Sequence, residues 1–127
     1  TYADLAEYYE ADAHYEPGTV LEFGGDKEVT VAQDGTTRVA GVVSTDPAYA
    51  MNSKCPGIAV AIALQGRVPC KVQGPVSKGD VLVTSNIRGV ARPITNSKFI
   101  PGCVVGKALE EISTDEIKTI EVVVGRF

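Results

Sequence analysis

Glu16-Pro17-Gly18-Thr19-Val20-Leu21 is echoed about sixty residues later by Ser77-Lys78-Gly79-Asp80-Val81-Leu82, and this echo governs how the rest of the chain is read. Two further stretches keep nearly the same offset. Val39-Ala40-Gly41-Val42-Val43-Ser44 returns as Cys103-Val104-Val105-Gly106-Lys107-Ala108-Leu109. Ile58 to Val68, which contains Gly66-Arg67, returns as Ile120 to Phe127, which contains Gly125-Arg126. Each copy reads as a turn followed by three strands, and one such copy could not bury its own apolar face. The expectation is an all-β fold in which two related β-units, about 16–72 and 77–127, form one sandwich- or barrel-like domain behind an N-terminal arm, 1–15.

The local signals agree with that outline. Pro17-Gly18 is turn chemistry, Val20 to Phe23 reads as a strand, and Gly24-Gly25-Asp26-Lys27 makes a tight connection into Glu28 to Ala32, predicting a β-hairpin. Asp34-Gly35 turns the chain into the β-branched stretch Thr36 to Val43. Ser44 to Gly57, with two prolines and little periodicity, is expected to be a loop. Ile58 to Leu64 is apolar without alternation, as in a strand covered on both faces or a subunit interface, whereas Gly66 to Val72 alternates strictly. Ile117 to Phe127 is the closing strand. The opening, Ala3 to Ala13, is rich in helix formers but has no clean helical stripe, which leaves a short helix or an extended arm.

At 127 residues and 44% apolar composition the chain suits a single soluble domain with one core. A net charge of −4 with interspersed signs carries no electrostatic footprint for nucleic acid or an anionic membrane, and the longest apolar run is too short to cross a bilayer. Cys55, Cys70 and Cys103 are an odd number at wide spacing, and His14 is the single histidine, so free thiols in a reducing compartment are expected, with no metal site. No phosphate-binding loop, dinucleotide fingerprint, metalloprotease motif or nucleophile elbow is present, and no cofactor is expected.

Ala3-Asp4-Leu5-Ala6-Glu7-Tyr8-Tyr9-Glu10, the turn and strand Pro17 to Leu21, Gly41-Val42-Val43-Ser44 leading to Asp46-Pro47, and Gly66-Arg67-Val68 follow one another in a familiar order. In that order they resemble the C-terminal autoprocessing, intramolecular-chaperone domain of bacteriophage tail fibres and neck appendages, a family classed among glutamic-type peptidases. The resemblance implies a homo-trimer at the end of a fibrous polypeptide, assembled in the host cytoplasm for a virion and contacting the preceding fibre segment and other virion proteins. Some members cut themselves free after assembly. It also implies that Asp4, Ala6 and Glu7 lie near the cleaved bond. A hydroxyl on the first residue after that bond can attack the preceding carbonyl, and a carboxylate can act as its base. Thr1 carries such a hydroxyl, with Asp4 or Glu7 as the base; equally, Thr1 is simply where a fragment begins.

Two plainer readings stand beside this one. Asp4, Glu7, Glu10 and Asp12 also suit a solvated acidic face. Ser44, Asp46, Asn52, Ser53 and Lys54 contain the groups of a nucleophile, a base and an oxyanion donor, with Asn52 and Ser53 as the candidate contributors, yet the same residues suit a polar loop that satisfies its own backbone. The chain is accordingly expected to be a self-cleaving assembly module, a non-catalytic virion or decoration module, or a carbohydrate-binding fibre tip built on Tyr2, Tyr8, Tyr9 and Tyr15.

Overall fold

The computed structural model describes residues 3–95 and 100–125, and every regular element among them is a strand. In chain order these are β1 (Asp4–Ala11), β2 (Val20–Phe23), β3 (Val29–Val31), β4 (Val39–Val43), β5 (Tyr49–Met51), β6 (Ile58–Gln73), β7 (Val81–Thr84), β8 (Ala91–Pro93), β9 (Gly106–Ala108) and β10 (Ile117–Val124). The fold is all-β, and the expected β2–β3 hairpin is present with Phe23 opposite Val29.

The sheet closes on itself twice. Strands β6, β4, β2, β3 and β1 form one ring, closed by β1 pairing back onto β6. Strands β6, β8, β7, β9 and β10 form a second, closed by β10 pairing onto β6. β6 belongs to both. Its first half is buried continuously from Val60 to Ala63, and its second half alternates, with Val68, Cys70 and Val72 inside. The continuous apolar run is therefore core: Ile62 is fully buried among Leu21, Val29, Val43 and Val60.

The echo in the sequence reappears in the backbone. Gly18 and Gly79 adopt φ of +87° and +91°, a left-handed turn conformation that glycine takes without steric cost. Gly18 N–H donates to Val43 O and Val43 N–H to Thr19 O; Gly79 N–H donates to Ala108 O and Ala108 N–H to Asp80 O. Leu21 sits opposite Gly41 as Leu82 sits opposite Gly106. Ala11 pairs in parallel with Val29 as Val72 pairs in parallel with Ala91. In this register β1 and the second half of β6 occupy equivalent places, so β6 ends one repeat and opens the next.

Three elements differ from expectation. The helix alternative for the opening is not realised: β1 is a strand, because pairing with β3, β5 and β6 outweighs the helix preference of its Ala, Leu and Glu residues. The loop after Ser44 contains the short strand β5, parallel to β1. Ile58–Leu64 and Gly66–Val72 join in one strand, since Gly66 bends the chain without reversing it. Both terminal strands finish at that bend, for Asp4 and Val124 each pair with Gly66.

Candidate functional site

Alternation along β1 sends Asp4 and Ala6 to one side and Glu7 and Tyr9 to the other. Asp4 is buried, only 4% exposed. Its Oδ1 accepts a hydrogen bond from Ser44 Oγ at 3.1 Å, and its Oδ2 is buried with no hydrogen-bond partner among the described residues. Ser44 itself is buried directly after β4, held by its N–H donating to Ala61 O of β6. The Asp4 backbone is fixed as well, with its carbonyl accepting from Ala48 N–H. Gly66 makes the close approach possible, because a Cβ there would collide with the carbonyl oxygen of Ala3.

A carboxyl in this setting holds its proton more tightly than usual. Burial raises the pKa of Asp4, the Ser44 hydroxyl pulls it down by stabilising the charged form, and the negative charge of Asp46 adds to the rise. Such a group is a stronger base than an exposed aspartate, and a raised pKa is the property required of an acid/base residue working nearer neutrality.

Among the described residues, the remaining candidates do not join Asp4. Thr1 lies outside the described residues. Glu7 is on the opposite face of β1, where its Oε1 accepts the Tyr9 hydroxyl at 2.8 Å; burial and this carboxylate push the Tyr9 phenol up to about 12. Asn52, at φ +58°, donates from Nδ2 to Tyr8 O at 2.9 Å, so it tethers the end of β5 to β1. That contact lies four residues along β1 from Asp4, roughly 13 Å at the rise of an extended strand. Ser53 and Lys54 are exposed beyond it. The two constellations read from sequence are thus regrouped: Asp4 from the first meets Ser44, with Asp46 close by, from the second.

The acidic face and the tyrosines have structural employment. Asp12 accepts from both Tyr15 and Thr30, which hold its carboxyl below the usual range. Tyr9 packs edge-on against Phe23 with ring centroids 5.4 Å apart, while Tyr49 stands exposed on β5. Cys70 is fully buried, and burial lifts its thiol to about 12, which makes it inert. No group of three or more His, Cys, Asp or Glu residues among those described is arranged to hold a metal ion. Beside the start of β1, a groove of about 500 Å³ is lined by Ala3, Gly66, Arg67, Lys78, Lys107 and Val123 among others, with Arg67 engaged by Glu121 at 3.2 Å.

Sequence reasoning did not pair Asp4 with Ser44, which are forty positions apart. A signal for it existed in the duplication. Ser44 N–H donates to Ala61 O as Leu109 N–H donates to Glu121 O, so Leu109 occupies the corresponding place in the second repeat. Where the second repeat has leucine, the first has a buried hydroxyl.

The fold has solved counterparts. No family model matches the chain, and no curated protein matches its sequence. Two crystal structures of bacteriophage phi29 gene product 12 do match in three dimensions. The C-terminal fragment superimposes with a TM-score of 0.67 at 15% identity, over 95% of this chain and 99% of the fragment. The pre-mature gene product matches with a TM-score of 0.71 at 14% identity, over 98% of this chain. This chain spans 22% of the pre-mature protein's length.

Proposed function

We propose that this chain is a structural domain of a bacteriophage particle: the C-terminal trimerisation and intramolecular-chaperone module of a tail fibre or appendage protein, which separates itself from the preceding segment of its own polypeptide. The observation that carries this reading is the match of nearly the whole chain to nearly the whole of a C-terminal fragment from a phage protein. That the same phage product is also known in a pre-mature form is in keeping with a domain that parts from its precursor.

In the cleavage step Asp4, ionised, takes the proton of the Thr1 hydroxyl as Thr1 Oγ attacks the carbonyl carbon before it. The C–N bond breaks as the nitrogen receives a proton, leaving an ester on Thr1 Oγ. Water then splits that ester, restoring the hydroxyl and releasing the upstream segment as a carboxylate. Asp4 is preferred over Glu7 as the base because it alone of the two is fully withdrawn from water, with one oxygen that has no partner among the described residues.

The test is intact mass and N-terminal sequencing of the full-length gene product, wild type beside Asp4→Asn and Glu7→Gln. We expect a fragment beginning at Thr1 in the wild type and in Glu7→Gln, and cleavage slowed by about 100-fold or more in Asp4→Asn. Loss in Glu7→Gln alone would transfer the role of base to Glu7. A single uncut chain in all three would leave a permanent, non-catalytic virion module.

A further inference from the structure

Asp4 and Ser44 form a buried polar pair at a position where the architecture itself demands none. The second repeat supplies the comparison: a Cβ on Gly125 would meet Leu64 O and Gln65 Cα as one on Gly66 would meet Ala3 O and Asp4 Cα, so an exposed Gln65 stands in the place of Asp4, and the place of Ser44 is taken by Leu109. The fold is therefore built at this point in the second repeat without a buried carboxyl and without the hydroxyl that meets it. Burying a carboxyl with one oxygen unsatisfied costs free energy, and that cost is paid in one repeat only.

We propose that Ser44 is the positioning residue of the cleavage site: by occupying Oδ1 of Asp4 it fixes the carboxyl and leaves Oδ2 as the oxygen that takes the proton. The assignment rests on the self-cleavage reading above. Three features support it: the 3.1 Å hydrogen bond, the burial of both partners, and the absence of any partner for Oδ2 among the described residues. Ser44 cannot drift from this place, since its N–H is bound to Ala61 O and it follows directly on β4. Its hydroxyl also favours the ionised, proton-accepting carboxylate, against burial and against Asp46. Among the described residues Asp46 is the charged group that acts on Asp4; the Arg67 side chain engages Glu121, and the Arg67 N–H donates to Ala3 O at the start of β1.

Two measurements test this, the first of them independent of the cleavage reading. The first is an NMR titration of the Asp4 carboxyl in this chain, wild type beside Ser44→Ala and Ser44→Thr. We expect Asp4 to titrate at higher pH in Ser44→Ala and to return toward the wild-type midpoint in Ser44→Thr. The second is the rate of cleavage of the full-length gene product against pH. The acidic limb of the profile should move to higher pH in Ser44→Ala, with cleavage on the order of tenfold slower on that limb, as loss of a hydrogen bond to a charged group implies. The plateau at higher pH should be kept, and Thr should restore the limb. An unchanged Asp4 titration in Ser44→Ala overturns the proposal, as does a loss of rate that is equal at every pH and not restored by Thr. A displaced titration together with a wild type uncut at every pH overturns the role of Oδ2 in cleavage through failure of the functional reading, while the contact between Ser44 and Asp4 stands.

Discussion

Asp4 sets a pH dependence on the fold as well as on the proposed chemistry. Its carboxyl is raised above the ordinary value of 3.8 in the folded chain, chiefly by burial. Below 3.8 both folded and unfolded chains hold the proton, and nothing is lost. As pH rises past that value the unfolded chain releases its proton first, so the contribution of Asp4 to stability falls until the folded carboxyl has also ionised, then levels off. Urea unfolding across a pH series should therefore show the wild type losing stability relative to Asp4→Asn as pH rises from about 4. A difference between the two that stays flat with pH would refute the raised pKa. The sequence marked Asp4 through its motif, but its environment could not be read there, because Ser44 and Ala48 reach it from the segment after β4 and Gly66 from the middle of β6. Asn52 and Ser53 show the opposite case: their residue types suit a reactive loop, yet the parallel pairing of β5 on β1 carries them toward Tyr8 and away from the acid.

β6 is the element on which the others depend. It pairs with β1, β4, β8 and β10, and Ile62 in its first half has no exposed surface. Truncation of Ile62 to Ala should cost about 2–5 kcal/mol in chemical denaturation, and Ile62→Asp should leave the chain unfolded, since it buries an unpaired charge. Tyr49, 65% exposed on β5, should tolerate Ala within about 0.5 kcal/mol. Equal costs at the two positions would contradict the placement of β6 at the centre. The apolar run of β6 was readable because continuous burial leaves continuous hydrophobicity. β1 was not, since its composition favours a helix and only its three strand partners settle the matter; β5 is too short to leave a periodic signal at all.

For the whole molecule, the duplication was legible because both copies keep the same turn glycines and the same strand register, and the hydrogen bonds repeat with them. The sharing of β6 by two closed rings was not legible, because nothing in a linear pattern tells a bend from a chain reversal at Gly66. If the proposed trimer forms, sedimentation equilibrium of this chain at micromolar concentration should return three times its own mass; a monomer at every concentration would remove trimerisation from the proposed function. The meeting of Asp4 and Val124 at Gly66 also has a mechanical meaning. Tension applied between those two points would run across the strands, peeling β1 and β10 from β6 one pair at a time, each starting at the bend. A load entering through β1 alone, with the molecule gripped at its far end, would instead run along the ladder and strain its eight pairs together. The same domain would thus give way easily when its ends are drawn apart and hold firmly when it is drawn along its length.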